Sequence, residues 1–139
     1  MEDLQTILSS HHSKTGNPNS NNPMHDGTHA TTSEIPDLFF DDVLVDFKLT
    51  RVEVLLLMYL YRLTWCKPNL HVKYGIAPFV SHEEITLQLD ISFETLHQTV
   101  RRLEGYGFIE TIRSGQYFVR KYYTEEYDRK YGQTYDNFL

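Results

Sequence analysis

The sequence predicts an α+β fold: a three-helix core closed by a β-hairpin, with a disordered N-terminal tail and a short C-terminal helix. Three observations carry this expectation. Two helix-start patterns, Ser81-His82-Glu83-Glu84 and Ser92, stand on either side of a tight Asp90-Ile91 connection. The second helix, 93–106, places Leu96, Val100 and Leu103 on one side and meets a stop at Gly107. Two β-prone segments, 108–113 and 116–123, then flank the Ser114-Gly115 turn. The starts are recognisable because a serine hydroxyl accepts an amide of the first helical turn that has no partner inside the helix.

Taken in order, residues 1–34 form a polar and acidic tail. Between Ser9 and Glu34 the only apolar side chains are Met24 and Ala30. Such a segment buries too little surface to offset the entropy of ordering it. Leu4, Ile7 and Leu8 form the one apolar turn, read as a fraying terminus or a short docking motif. The domain is expected over 35–131, with order beginning near Ile35-Pro36 and a C-terminal tail at 132–139. Residues 41–47 suggest a short strand or an extended approach to the first helix.

Thr50-Arg51-Val52-Glu53 is a capping box, with Glu53 placed to reach back to the Thr50 amide. The helix it opens runs to about Trp65 and is apolar on several sides, so it is expected to be the most buried element. A loop follows over 67–78, broken by Pro68, Gly75 and Pro78. The next helix carries an apolar run through Ile85, Leu87 and Leu89. Near the end, Thr124-Glu125-Glu126 starts a helix that Gly132 stops. Tyr127 and Tyr131, spaced i, i+4, attach it to the domain. If it projects instead, it is the natural element for a homodimer.

Two helices joined by a tight turn, then a hairpin, is the order of a winged helix-turn-helix. In that architecture the second paired helix lies in the major groove and the wing tracks an adjacent groove or the backbone. At roughly 100° per residue, Glu94, Gln98 and Arg101 fall opposite the buried side, with His97 and Arg102 beside them. Gln98 suits bidentate reading of adenine, and Arg101 or Arg102 suits guanine or phosphate. Ser81, Ser92 and Thr95, at helix starts, suit phosphate. Arg113, Ser114 and Gln116 sit at the wing tip, with Arg120 and Lys121 further down the return strand.

The segment from Leu49 to Tyr123 resembles the winged-helix domains of phage and plasmid replication-initiation proteins and of multiple-antibiotic-resistance-type regulators. The resemblance lies in Leu49-Thr50 with Glu53, in Val80-Ser81-His82-Glu83-Glu84-Ile85, in Leu89-Asp90-Ile91-Ser92 and Thr95-Leu96, and in Arg101-Arg102-Leu103-Glu104-Gly105-Tyr106-Gly107-Phe108-Ile109-Glu110. It covers a little over half of the chain and is more specific for fold than for function. It implies a recognition helix over 92–104 and a wing tip over 113–116. The chain departs from such domains at Phe93 and Glu94, where basic or small polar residues are usual.

Charge and composition bound the partners. The net charge is −6, and residues 1–48 hold all of it, with eight acids against two bases. Residues 49–139 hold eleven of each. Within 93–121, five bases (Arg101, Arg102, Arg113, Arg120, Lys121) face three acids (Glu94, Glu104, Glu110), a local excess of +2. This balance permits binding to double-stranded DNA without demanding it. The expected function is therefore that of a cytoplasmic DNA-binding protein, either a transcriptional regulator or the DNA-recognition part of a replication or mobile-element system. The alternative is a protein-interaction module of the same fold, using the N-terminal tail or the Tyr-rich C-terminus.

Other classes lack support in the residues. The longest apolar run, 52–63, contains Glu53 and Arg62 and falls short of the ~20 residues that span a bilayer. The N-terminus lacks a signal peptide's basic and apolar blocks. Cys66 is the only cysteine, which excludes an internal disulfide and makes a reducing compartment the default. His11, His12, His25 and His29 lie in the tail without metal-ligand spacing, and no Gly-rich phosphate loop is present. Neither a metal, a cofactor nor an enzymatic activity is expected.

Overall fold

A computed structural model of the chain describes residues 29–137. Five α-helices and a two-stranded antiparallel hairpin make an α+β arrangement: α1 (Leu44–Asp46), α2 (Arg51–Tyr61), α3 (His82–Leu89), α4 (Phe93–Tyr106), β1 (Ile109–Arg113), β2 (Gln116–Val119) and α5 (Glu125–Lys130). The apolar turn at Leu4, Ile7 and Leu8, like most of the tail, lies outside the described residues.

Residues 39–46 are helical, not extended. A π-helical turn, Phe39–Val43, runs into α1. The reason lies in spacing: Leu38, Phe39 and Val43 are buried on one side while Phe40 and Asp41 face solvent. In a helix Leu38, Phe39 and Val43 fall within about 140° of one another, whereas a strand would put Leu38 on the face opposite Phe39 and Val43.

α2 begins as its capping box predicts. Thr50 Oγ1 accepts the Glu53 amide at 3.3 Å, and Glu53 Oε1 accepts the Thr50 amide at 2.8 Å. Leu56, Leu57 and Leu60 on this helix are fully buried, and a π-helical turn, Arg62–Cys66, prolongs it past Trp65. The Thr64 hydroxyl donates to the Leu60 carbonyl within that widened turn. Around α2 gather Ile85 of α3, Leu96 and Leu103 of α4, and Phe108, Val119 and Tyr123. The Tyr123 ring stacks on Tyr61 with centroids 5.2 Å apart.

α3 departs from its expected pattern. Ile85 and Thr86 are buried, but Leu87 is 75 % exposed. Two residues turn a helix by about 200°, so a run at every second position cannot share one face. Ile85 is kept inside and Leu87 is left in solvent.

The hairpin is shorter on its return than expected. β2 ends at Val119, and after the Arg120 amide bonds the Phe108 carbonyl the chain turns away through Tyr123 at φ 76°. The 67–78 loop contributes more than a connection. The Ala77 amide donates to the Tyr117 carbonyl, the Val119 amide to Gly75, and the Val80 amide to Gly115, so this segment flanks β2 on its free side. An isolated bridge joins Ile76 and Phe118.

α5 lies against the domain, so the projecting arrangement that would offer a dimerisation element is not adopted. Asp128 is buried and accepts the Tyr122 amide, the Tyr135 hydroxyl and the Arg120 guanidinium. Tyr122 and Tyr131 pack ring to ring at 5.0 Å. Tyr135, beyond α5, meets Phe118 edge to face at 4.8 Å. Among the described residues no helix is long and apolar enough to cross a membrane.

Candidate nucleic-acid interface

The candidate surface is built on α4. Ser92 caps it, its Oγ accepting the Thr95 amide at 3.1 Å and donating to Thr95 Oγ1 at 2.9 Å. Gly107 ends it at φ 87°, a left-handed conformation suited to glycine. Leu96, Thr99, Val100 and Leu103 are buried, which leaves His97, Gln98, Arg101 and Arg102 exposed. Glu94 is exposed on the same face, and Gln98 Nε2 donates to its Oε1 across a long 3.4 Å. The amide end that would read adenine is thus shared with a carboxylate from its own helix.

Arg102 lies on the flank toward α2, where its charge acts on Glu53. Glu53 is 1 % exposed, and its Oε2 accepts the Tyr106 hydroxyl at 2.8 Å. Burial pushes this carboxyl's pKa up. The Thr50 amide, the hydroxyls of Tyr106 and Thr50 and the Arg102 charge outweigh burial and hold it below the ordinary glutamate value. Glu53 therefore joins the start of α2 to the end of α4 in its ionised form. Tyr106 responds in the opposite sense, its pKa raised by the hydrogen bond to that carboxylate.

The hairpin tip is exposed at Arg113 and Ser114. Arg113 Nε donates to Gln116 Oε1 at 3.0 Å, and its guanidinium lies 5.8 Å from the Phe79 ring centroid. Gln116 was expected to be a contact at the tip. It is 4 % exposed, with Nε2 donating to the Ala77 carbonyl, so it supports Arg113 from inside. Glu104 Oε2 accepts the Thr111 amide at 3.3 Å and links α4 directly to β1.

Gly115 makes the tip's seating possible. Its φ is +85°, and a Cβ there would lie 2.7 Å from the Val80 carbonyl oxygen and 2.6 Å from the Phe79 ring. Gly115→Ala is expected to cost about 2 kcal/mol, from the left-handed backbone and the displaced Val80 peptide. A thermal or urea melt checks this, and an unchanged midpoint would count against the close seating.

Arg120 and Lys121, expected on the return strand, lie beyond it and are engaged elsewhere. Arg120 pairs with Asp128 at 3.1 Å. The Lys121 ammonium sits 5.7 Å from the Trp65 ring centroid and 5.8 Å from that of Tyr122. Ser81 caps α3 by accepting the Glu84 amide, with Glu83 and Glu84 in the same first turn. The charge at the surface is accordingly leaner than the sequence suggests: Arg101, Arg102 and Arg113 against Glu94, Glu104 and Glu110.

Residue-by-residue reading of the sequence did not single out His82 as a contact, nor the exposed apolar side chains. His82 Nε2 lies 3.0 Å from the Tyr117 hydroxyl, and its ring meets that of His97 edge to face. Phe79 is 60 % and Phe93 52 % exposed, large values for aromatic side chains beside a helix start and a hairpin tip. Nothing in one-dimensional spacing brings position 82 to 97 and 117. Among the described residues no group of three or more His, Cys, Asp or Glu could hold a metal ion. No protein-family model, curated protein or solved structure matches the chain.

Proposed function

We propose that the domain is a winged helix-turn-helix that binds double-stranded DNA, α4 entering the major groove and the β1–β2 hairpin serving as the wing. One observation carries this reading: the face of α4 bearing Gln98 and Arg101 is uncovered, and a hairpin with an exposed arginine at its tip is tied to that helix through Glu104. A helix of about 10–12 Å diameter fits the major groove, and its solvent-facing side chains are the ones that meet base edges. Gln98 and Arg101 read bases, while Arg102, Arg113, Ser114 and the capped helix starts at Ser81 and Ser92 position the backbone. Regulation of transcription, or recognition of a replication or mobile-element site, is the role that such a contact set serves.

A second reading is favoured by a separate observation. Phe79, Phe93, Leu87 and Ile112 are all exposed, and arginines only match glutamates on this surface. Interfaces between proteins concentrate aromatic side chains at their centre, with charges at the rim. Under that reading the domain docks a protein and contacts DNA weakly.

Titration of a labelled generic duplex over a range of salt separates the two. Phosphate contacts from Arg102 and Arg113 predict log affinity falling with log salt at a slope of about −2. Absence of binding up to about 0.1 mM duplex at low salt would remove the DNA reading.

A further inference from the structure

The His82 and His97 rings meet where α3 crosses α4, their centroids 5.1 Å apart at an interplanar angle of 81°. His82 Nε2 also reaches the Tyr117 hydroxyl of β2 at 3.0 Å. Three elements carrying the candidate interface thus converge on two imidazoles, one exposed and one half-buried. A phenol hydroxyl can donate to a neutral imidazole nitrogen or accept from an imidazolium, so this contact is compatible with either state. Burial raises the Tyr117 pKa, so the hydroxyl keeps its proton.

The elements that carry the pair bear charges of both signs. α3 has Glu83 and Glu84 in its first turn, the latter also acting on Tyr59 of α2. α4 contributes Glu94, Arg101 and Glu104, and the hairpin contributes Arg113, with Tyr117 against His82. Because Arg120 and Lys121 are engaged elsewhere, the arginines and glutamates of the α4–hairpin surface balance. Apart from Glu84, the acids Glu83, Glu94 and Glu104 against Arg101 and Arg113 leave one negative charge, so two added protons reverse the sign to one positive charge. Histidine is the side chain that makes such a change between about pH 5 and 8. Two imidazolium charges this close repel, and an anion seated against both relieves the repulsion.

We propose that His82 and His97 together form a proton-dependent phosphate site on the α3–α4 face, occupied by a backbone phosphodiester of duplex DNA. The proposal rests on the DNA-binding reading above and deepens it: affinity is tuned by pH at the interface itself.

Anisotropy titrations of the full chain with a duplex at about pH 5.5 and about pH 8 test it. Affinity is expected to be roughly tenfold higher at the lower pH, with a salt slope steeper by about 0.9 for the added phosphate. His82→Gln combined with His97→Gln abolishes both differences. His97→Gln alone, at an exposed position that leaves the Tyr117 contact intact, removes most of the gain. A pH dependence equal in the wild type and the variants overturns the phosphate site and leaves the DNA reading standing. If no duplex binds at either pH, the DNA reading fails and inorganic phosphate decides the site. Histidine ring resonances of positions 82 and 97 that move with phosphate only at the lower pH retain it, and unmoved resonances overturn it.

Discussion

Replacing Arg101 and Arg113 together by alanine is expected to lower duplex affinity by about 30-fold or more, the largest functional effect of any change on this surface. Each guanidinium contact to a base edge or phosphate contributes about 1–3 kcal/mol, and the two sit on different elements, so their losses add. Arg101 stands on the exposed face of α4; Arg113 is held at the hairpin tip by Gln116 and the Phe79 ring. Their effects are expected to differ in kind. On the proposed DNA-binding reading, loss of Arg101 from a base contact narrows the gap between specific and generic sites, whereas loss of Arg113 from a phosphate contact weakens all sequences alike and flattens the salt slope by about 1. Affinity measured on two unrelated duplexes distinguishes them. Unchanged affinity in the double variant would show that α4 and the hairpin are not the contact surface.

The largest effect on stability is expected at Glu53. Glu53→Ala removes the acceptor of the Thr50 amide and of the Tyr106 hydroxyl and dissolves the capping box of the helix at the centre of the core. Loss of the cap costs about 1 kcal/mol, and the part-buried Tyr106 hydroxyl left without its partner costs about 1–3 kcal/mol. Together they predict a loss of about 2–4 kcal/mol, a large share of the total stability of a small domain. The pH dependence has a definite sign. The Glu53 pKa is depressed in the folded chain, so the carboxylate's stabilisation is fully present above the ordinary glutamate value and is lost as pH falls through the folded value. Acid unfolding of Glu53→Gln is accordingly expected to be less steep than that of the wild type. Equal acid transitions in the two proteins would place the depressed carboxylate elsewhere.

Much of the architecture was legible because helix and hairpin boundaries are local events. Thr50 with Glu53, Ser81 with Glu84, Ser92 with Thr95 and Thr124 with Tyr127 make the contacts expected of helix starts, each within three residues. Gly107 and Gly115 adopt the positive φ angles that a helix stop and a hairpin turn require. The failures were also local, and instructive. Residues 41–47 suggested a short strand or an extended approach because they contain a short apolar segment. The adjacent pair Leu38 and Phe39, buried together with Val43, carried the correct information, since only a helix puts all three on one side. At Leu87 the alternation of three aliphatic residues suggested a shared face that helical geometry cannot provide.

The candidate surface was less legible than the fold. Arg120 and Lys121 follow the hairpin in sequence, yet whether they face a ligand depends on Asp128, Trp65 and Tyr122, which only chain folding brings beside them. Gln116 belongs to the tip by position but to the interior by packing, since its amide meets Ala77 from the preceding loop.

By itself, then, the sequence determined where four of the five α-helices begin, which face of α4 is buried, and that the hairpin closes on a glycine, because caps, periodicity and turn conformations act over a few residues. Only the tertiary structure decided which charges remain free on that surface and that His82, His97 and Tyr117 meet. Pairing between distant side chains depends on how elements cross, and no spacing along the chain encodes that crossing.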